Sequence, residues 1–177
     1  MRDNMMRFVG ENTARLHREH LNNIKLRYSI LEKSEPRLGG LTVGAIKTCR
    51  RVDSAIKSDA IALLSDISAH ELYFSSYGMP GGRCERLRKT YGSESAFLYS
   101  VLKGALDFGE GYCFIADCGK AIRSINVKSA REIYLEPKIV PKLCIDLYEH
   151  AYFGDYGFNR EGYLSAALYS LDLSKLL

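Results

Sequence analysis

Apolar residues in the first third of the chain recur at helical steps. In "ENTARLHREHLNNIKLRYSILEK", residues 11–33, Leu16, His20, Ile24, Tyr28 and Leu31 fall three or four residues apart, which predicts an amphipathic helix with these side chains inward. Pro36, Gly39 and Gly40 break it. A second helix is predicted over about 52–76, capped by Asp53, with Leu63, Ile67, His70 and Phe74 on one stripe. "YGMPGGR", residues 77–83, is the strongest break in the chain and suggests two units, 1–77 and 78–177. A third helix starts at a Ser93 cap and stops at Gly109. The period then shortens to that of strands in "GYCFIAD", "AIRSINV" and "KIVPKLCIDLY", with "DCGK", residues 117–120, as a hairpin turn between the first two. A last helix follows over about 160–173. The expected fold is α+β: an N-terminal helical hairpin, then an α/β half with a three-stranded antiparallel sheet and a terminal helix.

Composition narrows the function classes. The 177 residues are 46% hydrophobic, enough for a real core. The net charge of +4 comes from scattered basic residues, so a nucleic-acid surface is not expected, although a focused cleft would suit a small anion. No window is apolar enough for a membrane span, and Met1 to Arg15 has no signal-peptide core, so a cytoplasmic location is expected. Five cysteines without a CxxC pair read as reduced, mostly buried thiols.

The chemistry concentrates near the C-terminus. In "CIDLYEHAYFGDYGFNREGYL", Asp146 and His150 end the last strand and open the following turn. His20 and His70 lie on the inward stripes of the two long helices. Two helices and a strand end can thus aim three imidazoles and one carboxylate at one point, a donor set that suits Mn, Fe or Zn. His17, one turn before His20, reads as a surface residue, and "RCERLRK", residues 83–89, as a solvated helix face.

"DLYEHAYFGDY" resembles the C-terminal signature of the iron/manganese superoxide dismutases, Asp-x-Trp-Glu-His-Ala-Tyr-Tyr-x-Asp-Tyr, and "NREGYL" continues the match. "GEGYCFI", "AHELYF" and "HLNNIKLRYSILEKS" are similar to that family's first strand, second helix and first helix. The resemblance covers roughly residues 15–173. It implies one Fe or Mn per chain held by His20, His70, Asp146 and His150. It further implies Tyr28 over the open metal face, Arg160 at the mouth of the substrate funnel, and Glu149 reaching across a homodimer, or a dimer of dimers, to the partner's metal histidine. Tyr112, Phe114 and Tyr148 stand where the family has Trp and read as core rings. The implied reaction disproportionates superoxide to O2 and H2O2. The alternative is a superoxide-dismutase-like metal-binding or structural subunit with weak or no activity. A helical interaction module without metal would need four coincidentally placed ligands.

Two departures matter. The family's outer Gln is replaced by Asp66 at one position and Val127 at the other. A polar pair that bridges the family's dimer is replaced by Ile24 and Phe153, which are expected to face each other across the seam.

Overall fold

The computed structural model describes residues 8–78 and 84–177; most of the break at 77–83 therefore lies outside the described residues. Helices α1 (Glu11–Ser34), α2 (Val43–Thr48) and α3 (Ser54–Ser75) come first, with α1 packed along α3. As predicted, the Asp53 carboxylate caps α3 by accepting from Ala55 N at 2.8 Å. Helices α4 (Glu85–Tyr91) and α5 (Glu94–Phe108) follow, and Ser93 Oγ caps the latter through Ala96 N at 3.0 Å.

Strands β1 (Tyr112–Asp117) and β2 (Ile122–Val127) form a hairpin, and β3 (Val140–Asp146) pairs antiparallel with the other edge of β1. The tight turn falls one residue later than expected: Cys118 N donates to Ala121 O at 3.0 Å, and Gly119 takes the positive φ of 80° that the turn requires. Between β2 and β3 lies the short α6 (Arg131–Tyr134); after β3 come α7 (Phe153–Tyr156) and α8 (Arg160–Tyr169). The α+β architecture with a three-stranded antiparallel sheet agrees with the pattern of the sequence. The short helices α2, α6 and α7 had no periodic signal long enough to predict them; α4 falls where "RCERLRK" reads as a solvated helix face, but it buries Leu87 completely.

β1 is the central strand and all six of its residues except Asp117 are buried, so it reads as a continuous apolar run rather than an alternation. Its hydrophobic cluster takes in Tyr73 of α3, Phe97 of α5, the inner residues of all three strands and Tyr163 of α8. Cys84, Cys113 and Cys144 are buried free thiols; Cys49 and Cys118 are half-buried. Among the described residues no helix is long and apolar enough to cross a membrane.

Helix α1 corrects one expectation. Its buried face is Thr13, Ala14, His17, Leu21 and Ile24, while Leu16 is 49% exposed and His20 is exposed. Successive residues turn by about 100°, so a run of pure four-residue steps (16, 20, 24, 28) winds around the helix by about 40° a step. The alternating steps 14, 17, 21, 24 stay on one side. His17, expected at the surface, lies at the centre of the inner face, and His20 is rotated about 60° away from it. Ile24 is buried within the chain against Leu21 and Ile67, so it cannot face Phe153 across a subunit seam; Phe153 is exposed and packs edge-on against Phe158.

Candidate metal centre

Three anchors bring α1, α3 and β3 to one point. At the C-terminal end of α3, Ser76 Oγ accepts from Cys144 N at 2.8 Å in the middle of β3, and Ser76 O accepts from Asp172 N at 2.9 Å. This sets His70, on α3, against Asp146, at the end of β3. At its N-terminal end α1 is clamped to α7. Gly10 N donates to the Asp155 carboxylate at 2.7 Å, and the Tyr156 hydroxyl donates to Phe8 O. Gly154 approaches Thr13 so closely that a Cβ would stand 2.7 Å from Thr13 Oγ1. The clamp holds His17 beside His150, which lies just before α7. Finally, the β1–β3 register puts Tyr112 opposite Asp146, and the Tyr112 ring meets His70 edge-on at 5.9 Å.

The product is a tight group of His17, His70, Asp146 and His150, with one donor atom from each lying within 4.8 Å of all the others. Asp146 Oδ2 is its centre: His17 Nε2 and His150 Nε2 stand 3.1 Å away and His70 Nε2 3.7 Å away. His17 and His70 are each 1% exposed and Asp146 is 0% exposed; the group opens to solvent at His150, whose side chain is 34% exposed. The His17–Asp146 pair has the distance of a hydrogen bond but not its angle, and neither His17 Nε2 nor His70 Nε2 has a hydrogen-bond partner. Two buried imidazole nitrogens left without partners cost free energy unless something else meets them. Donor atoms each about 2.1 Å from a shared ion stand roughly 3.0–3.6 Å apart at angles of 90–120° and at most about 4.2 Å apart, so the three distances to Asp146 Oδ2 are close to those around one ion, while the wider separations in the group, up to 4.8 Å, must shorten for all four donors to hold it.

The surroundings orient these donors. His70 Nδ1 lies 2.8 Å from the Asp66 carbonyl oxygen, a bond in which the ring nitrogen donates, so Nε2 keeps its lone pair for the group. Asp146 Oδ1 accepts from Tyr148 N at 2.9 Å, and Asp146 O accepts from the Tyr163 hydroxyl at 2.8 Å. Burial works against ionisation of Asp146, but its contacts with His150 and His17 outweigh this and hold the carboxyl well below the usual carboxylate range. Burial lowers His70 to about 4, against a smaller raising effect from Asp146, so its imidazole is neutral at ordinary pH. Burial also acts to lower His150, yet its bond and charge contact with Asp146 leave it raised. The Asp66 carboxyl is raised, first by burial and then by the Asp146 charge.

The remaining sequence-predicted residues fall in different places. His20 lies outside the close group, on its solvent side, with its ring centroid 4.5 Å from that of His150 and 5.2 Å from that of His70. Tyr28 is about three turns along α1 from His17 and packs between the clusters around Leu38 and Ile67, away from the donors. The Arg160 guanidinium donates to Ala105 O at 3.1 Å, to Leu106 O at 3.4 Å and to Gly109 O, closing the C-terminal end of α5. Glu149 is exposed beside His150. Val127 is buried in β2, paired with Tyr112.

Sequence reasoning missed two members of the site. His17 could have been found from the alternating three- and four-residue steps of α1. Tyr148, read as a core ring, is half-buried and stacks on His150 at 5.7 Å and 12°, with its hydroxyl donating to Lys128 O at 2.8 Å. Tyr112 and Phe114 are indeed buried.

Comparison with known proteins agrees with this picture. Residues 81–176 match the family of iron/manganese superoxide dismutases, C-terminal domain. A "Superoxide dismutase [Fe]" of Cupriavidus metallidurans is 25% identical over 125 residues, covering 67% of this chain and 63% of that protein. Proteins of the same name from Aquifex aeolicus (30% over 105 residues) and Legionella pneumophila (32% over 100 residues) are matched over 55% of this chain and 48% and 52% of their own lengths. The chain thus spans between about half and somewhat under two thirds of these relatives. The stretch matched to the family includes β1, β3, Asp146 and His150, two of the four donors; His17 and His70, on α1 and α3, lie outside it. On both grounds the chain belongs to the iron/manganese superoxide dismutase family.

Proposed function

We propose that the chain binds one Fe or Mn ion through His17, His70, Asp146 and His150 and disproportionates superoxide: two superoxide anions and two protons give O2 and H2O2. The observation that carries this reading is the pair of buried, unpartnered Nε2 atoms of His17 and His70 aimed at the Asp146 carboxylate. Fe or Mn, when bound, supplies a one-electron couple that can accept an electron from one superoxide and return it to another. His17 takes the ligand position that the sequence resemblance gave to His20.

The chain's own residues account for the rest. Asp146 stays ionised in a dry pocket and supplies the negative charge that offsets the cation. Asp66 O fixes the His70 tautomer, and the Tyr148 amide and Tyr163 hydroxyl hold Asp146 in place. Tyr73 and Phe74 flank His17 at 4.7 and 5.0 Å and exclude water from that side. The Asp66 carboxyl, raised by burial, is suited to holding a proton near the group; it stands in for the family's outer amide. A two-fold dimer, with Glu149 oriented toward the partner, remains part of this proposal.

A second reading is a family member that binds metal but dismutates weakly. It is favoured by the positions of Arg160, whose guanidinium is engaged with helix carbonyls, and Tyr28, which lies away from the donors. Metal analysis of purified protein, paired with a dismutation assay on the same sample reconstituted with Fe and with Mn, separates these outcomes. Near-stoichiometric metal with fast dismutation supports the enzyme. Stoichiometric metal with a rate no better than free metal salt supports the second reading, and protein that takes up neither metal refutes both.

A further inference from the structure

The tip of the N-terminal helical hairpin holds a charged device that the metal centre does not use. Glu35, just past the end of α1, is a carboxylate only 6% exposed. It accepts twice from the Arg37 guanidinium, from Nε at 2.6 Å and from Nη2 at 2.5 Å. Arg37 Nη1 in turn donates to Arg51 O, in the loop between α2 and α3. Val43, Ile46 and Val52 anchor the same loop from beneath, buried in one cluster with Leu38, Ala60 and Ile61. The loop so held carries its charge on the outside. "KTCRRVDSAIK", residues 47–57, has four basic residues and one acid. Lys47, Arg50 and Arg51 are exposed and Lys57 is half-buried. Among the described residues none of these four pairs with a carboxylate. The one acid, Asp53, is engaged as the cap of α3.

These charges do not serve the metal centre. From Ser54, at the start of α3, to His70 the helix rises about 24 Å, far beyond the screening length of about 8 Å at physiological ionic strength. The surface around them is also selective by what it lacks. Residues 36–60 contain no aromatic residue, so there is no platform on which single-stranded bases could stack. No large apolar side chain of that stretch is exposed, so nothing is offered to insert into a lipid surface or to form the apolar centre of a protein interface. What remains is unpaired positive charge on a fixed backbone, which is what contact with a phosphate backbone requires. We propose that the α2–α3 loop is a docking surface for the backbone of duplex nucleic acid, contacted through Lys47, Arg50, Arg51 and Lys57 without regard to base sequence. Glu35, acting through Arg37, holds the loop in place for that contact. This surface goes beyond the metal-binding reading and does not depend on it. It revises the expectation drawn from the scatter of basic residues along the sequence, because the fold fixes four of them on one short, exposed loop.

The test uses the intact chain and a fluorescent DNA duplex of about 20 base pairs, with affinity read by anisotropy between about 50 and 200 mM salt. Two triple variants are compared with wild type. Lys47→Gln/Arg50→Gln/Arg51→Gln strips the loop, and Lys103→Gln/Lys120→Gln/Lys138→Gln removes the same charge from exposed positions elsewhere. Three or four phosphate contacts predict a slope of about −3 for log affinity against log salt in wild type. The loop variant should bind at least about tenfold more weakly at about 50 mM salt and lose roughly 0.9 of slope for each charge removed. The second variant should stay within about threefold of wild type, since its charges lie off the surface. Wild type that shows no binding at about 50 mM salt overturns the proposal. Equal losses in the two variants also overturn it, because bulk charge alone would then account for the binding. So does wild type that sediments with vesicles of equal phosphatidylserine and phosphatidylcholine while leaving the duplex free, which would make the loop a lipid-surface contact instead.

Discussion

The assignment of His17 rather than His20 as the ligand can be measured through metal-linked stability. A ligand present at one hundred times its dissociation constant stabilises the folded state by about 2.7 kcal/mol. Loss of a group that merely orients a ligand weakens metal binding by about 10–100-fold, so loss of a direct donor should reach at least the upper figure. At the same metal concentration a hundredfold weaker site contributes only about 0.4 kcal/mol. For a chain of 177 residues each kcal/mol is worth roughly 2–4 °C in Tm. Saturating Fe or Mn should therefore raise the Tm of wild type by about 5–11 °C and that of His17→Gln by no more than about 2 °C. His20→Gln should retain most of the wild-type increment. The increment, rather than Tm itself, is the relevant reading, because replacing a side chain that is 1% exposed also disturbs packing in the metal-free protein. Differential scanning fluorimetry with and without metal is sufficient. If His17→Gln keeps the increment and His20→Gln loses it, the ligand assignment is reversed and the helical-face argument is wrong.

Three further outcomes are expected. Arg160→Ala should lower stability toward urea by about 1.5–3 kcal/mol, because a charged donor to three carbonyls at the end of α5 is lost; no change in the unfolding midpoint would free Arg160 for another role. In the metal-free protein, His70 makes stability fall with acid. Its folded value of about 4 lies below the 6.5 of the unfolded chain, so its contribution is complete above pH 6.5 and is lost as pH falls toward 4. At 1.36 kcal/mol per unit the loss comes to about 3 kcal/mol. His150, raised by Asp146, acts in the opposite sense, so the quantity to follow is the difference between wild type and His70→Gln from pH 7 to 4; a flat difference would refute the burial argument. Gly111→Ala should unfold or fail to accumulate, since φ is 138° there and a Cβ would collide with the Val127 carbonyl oxygen; soluble protein of wild-type Tm would contradict the strand register.

Periodicity and turn chemistry alone were enough for the order of the long helices and the three strands, though not for the short helices α2, α6 and α7. The helix caps Asp53 and Ser93, the hairpin at Gly119 and the three strands are local features, each decided by a few neighbouring residues. Asp146, His150 and His70 were legible as donors because their motifs put each at an element that had to face the core. What sequence alone could not decide was which ridge of α1 turns inward. His17 and His20 are both flanked by apolar and charged residues, and the helix rotation is set by distant partners: the packing of Leu21 and Ile24 on Ile67 of α3, and the clamp of Gly10 and Phe8 by Asp155 and Tyr156, some 145 residues away in the chain. The same holds for Arg160, which lies 51–55 residues from the carbonyls that hold it. Side chains that act through distant partners are placed by tertiary packing, because the free energy that orients them comes from groups the local sequence does not contain.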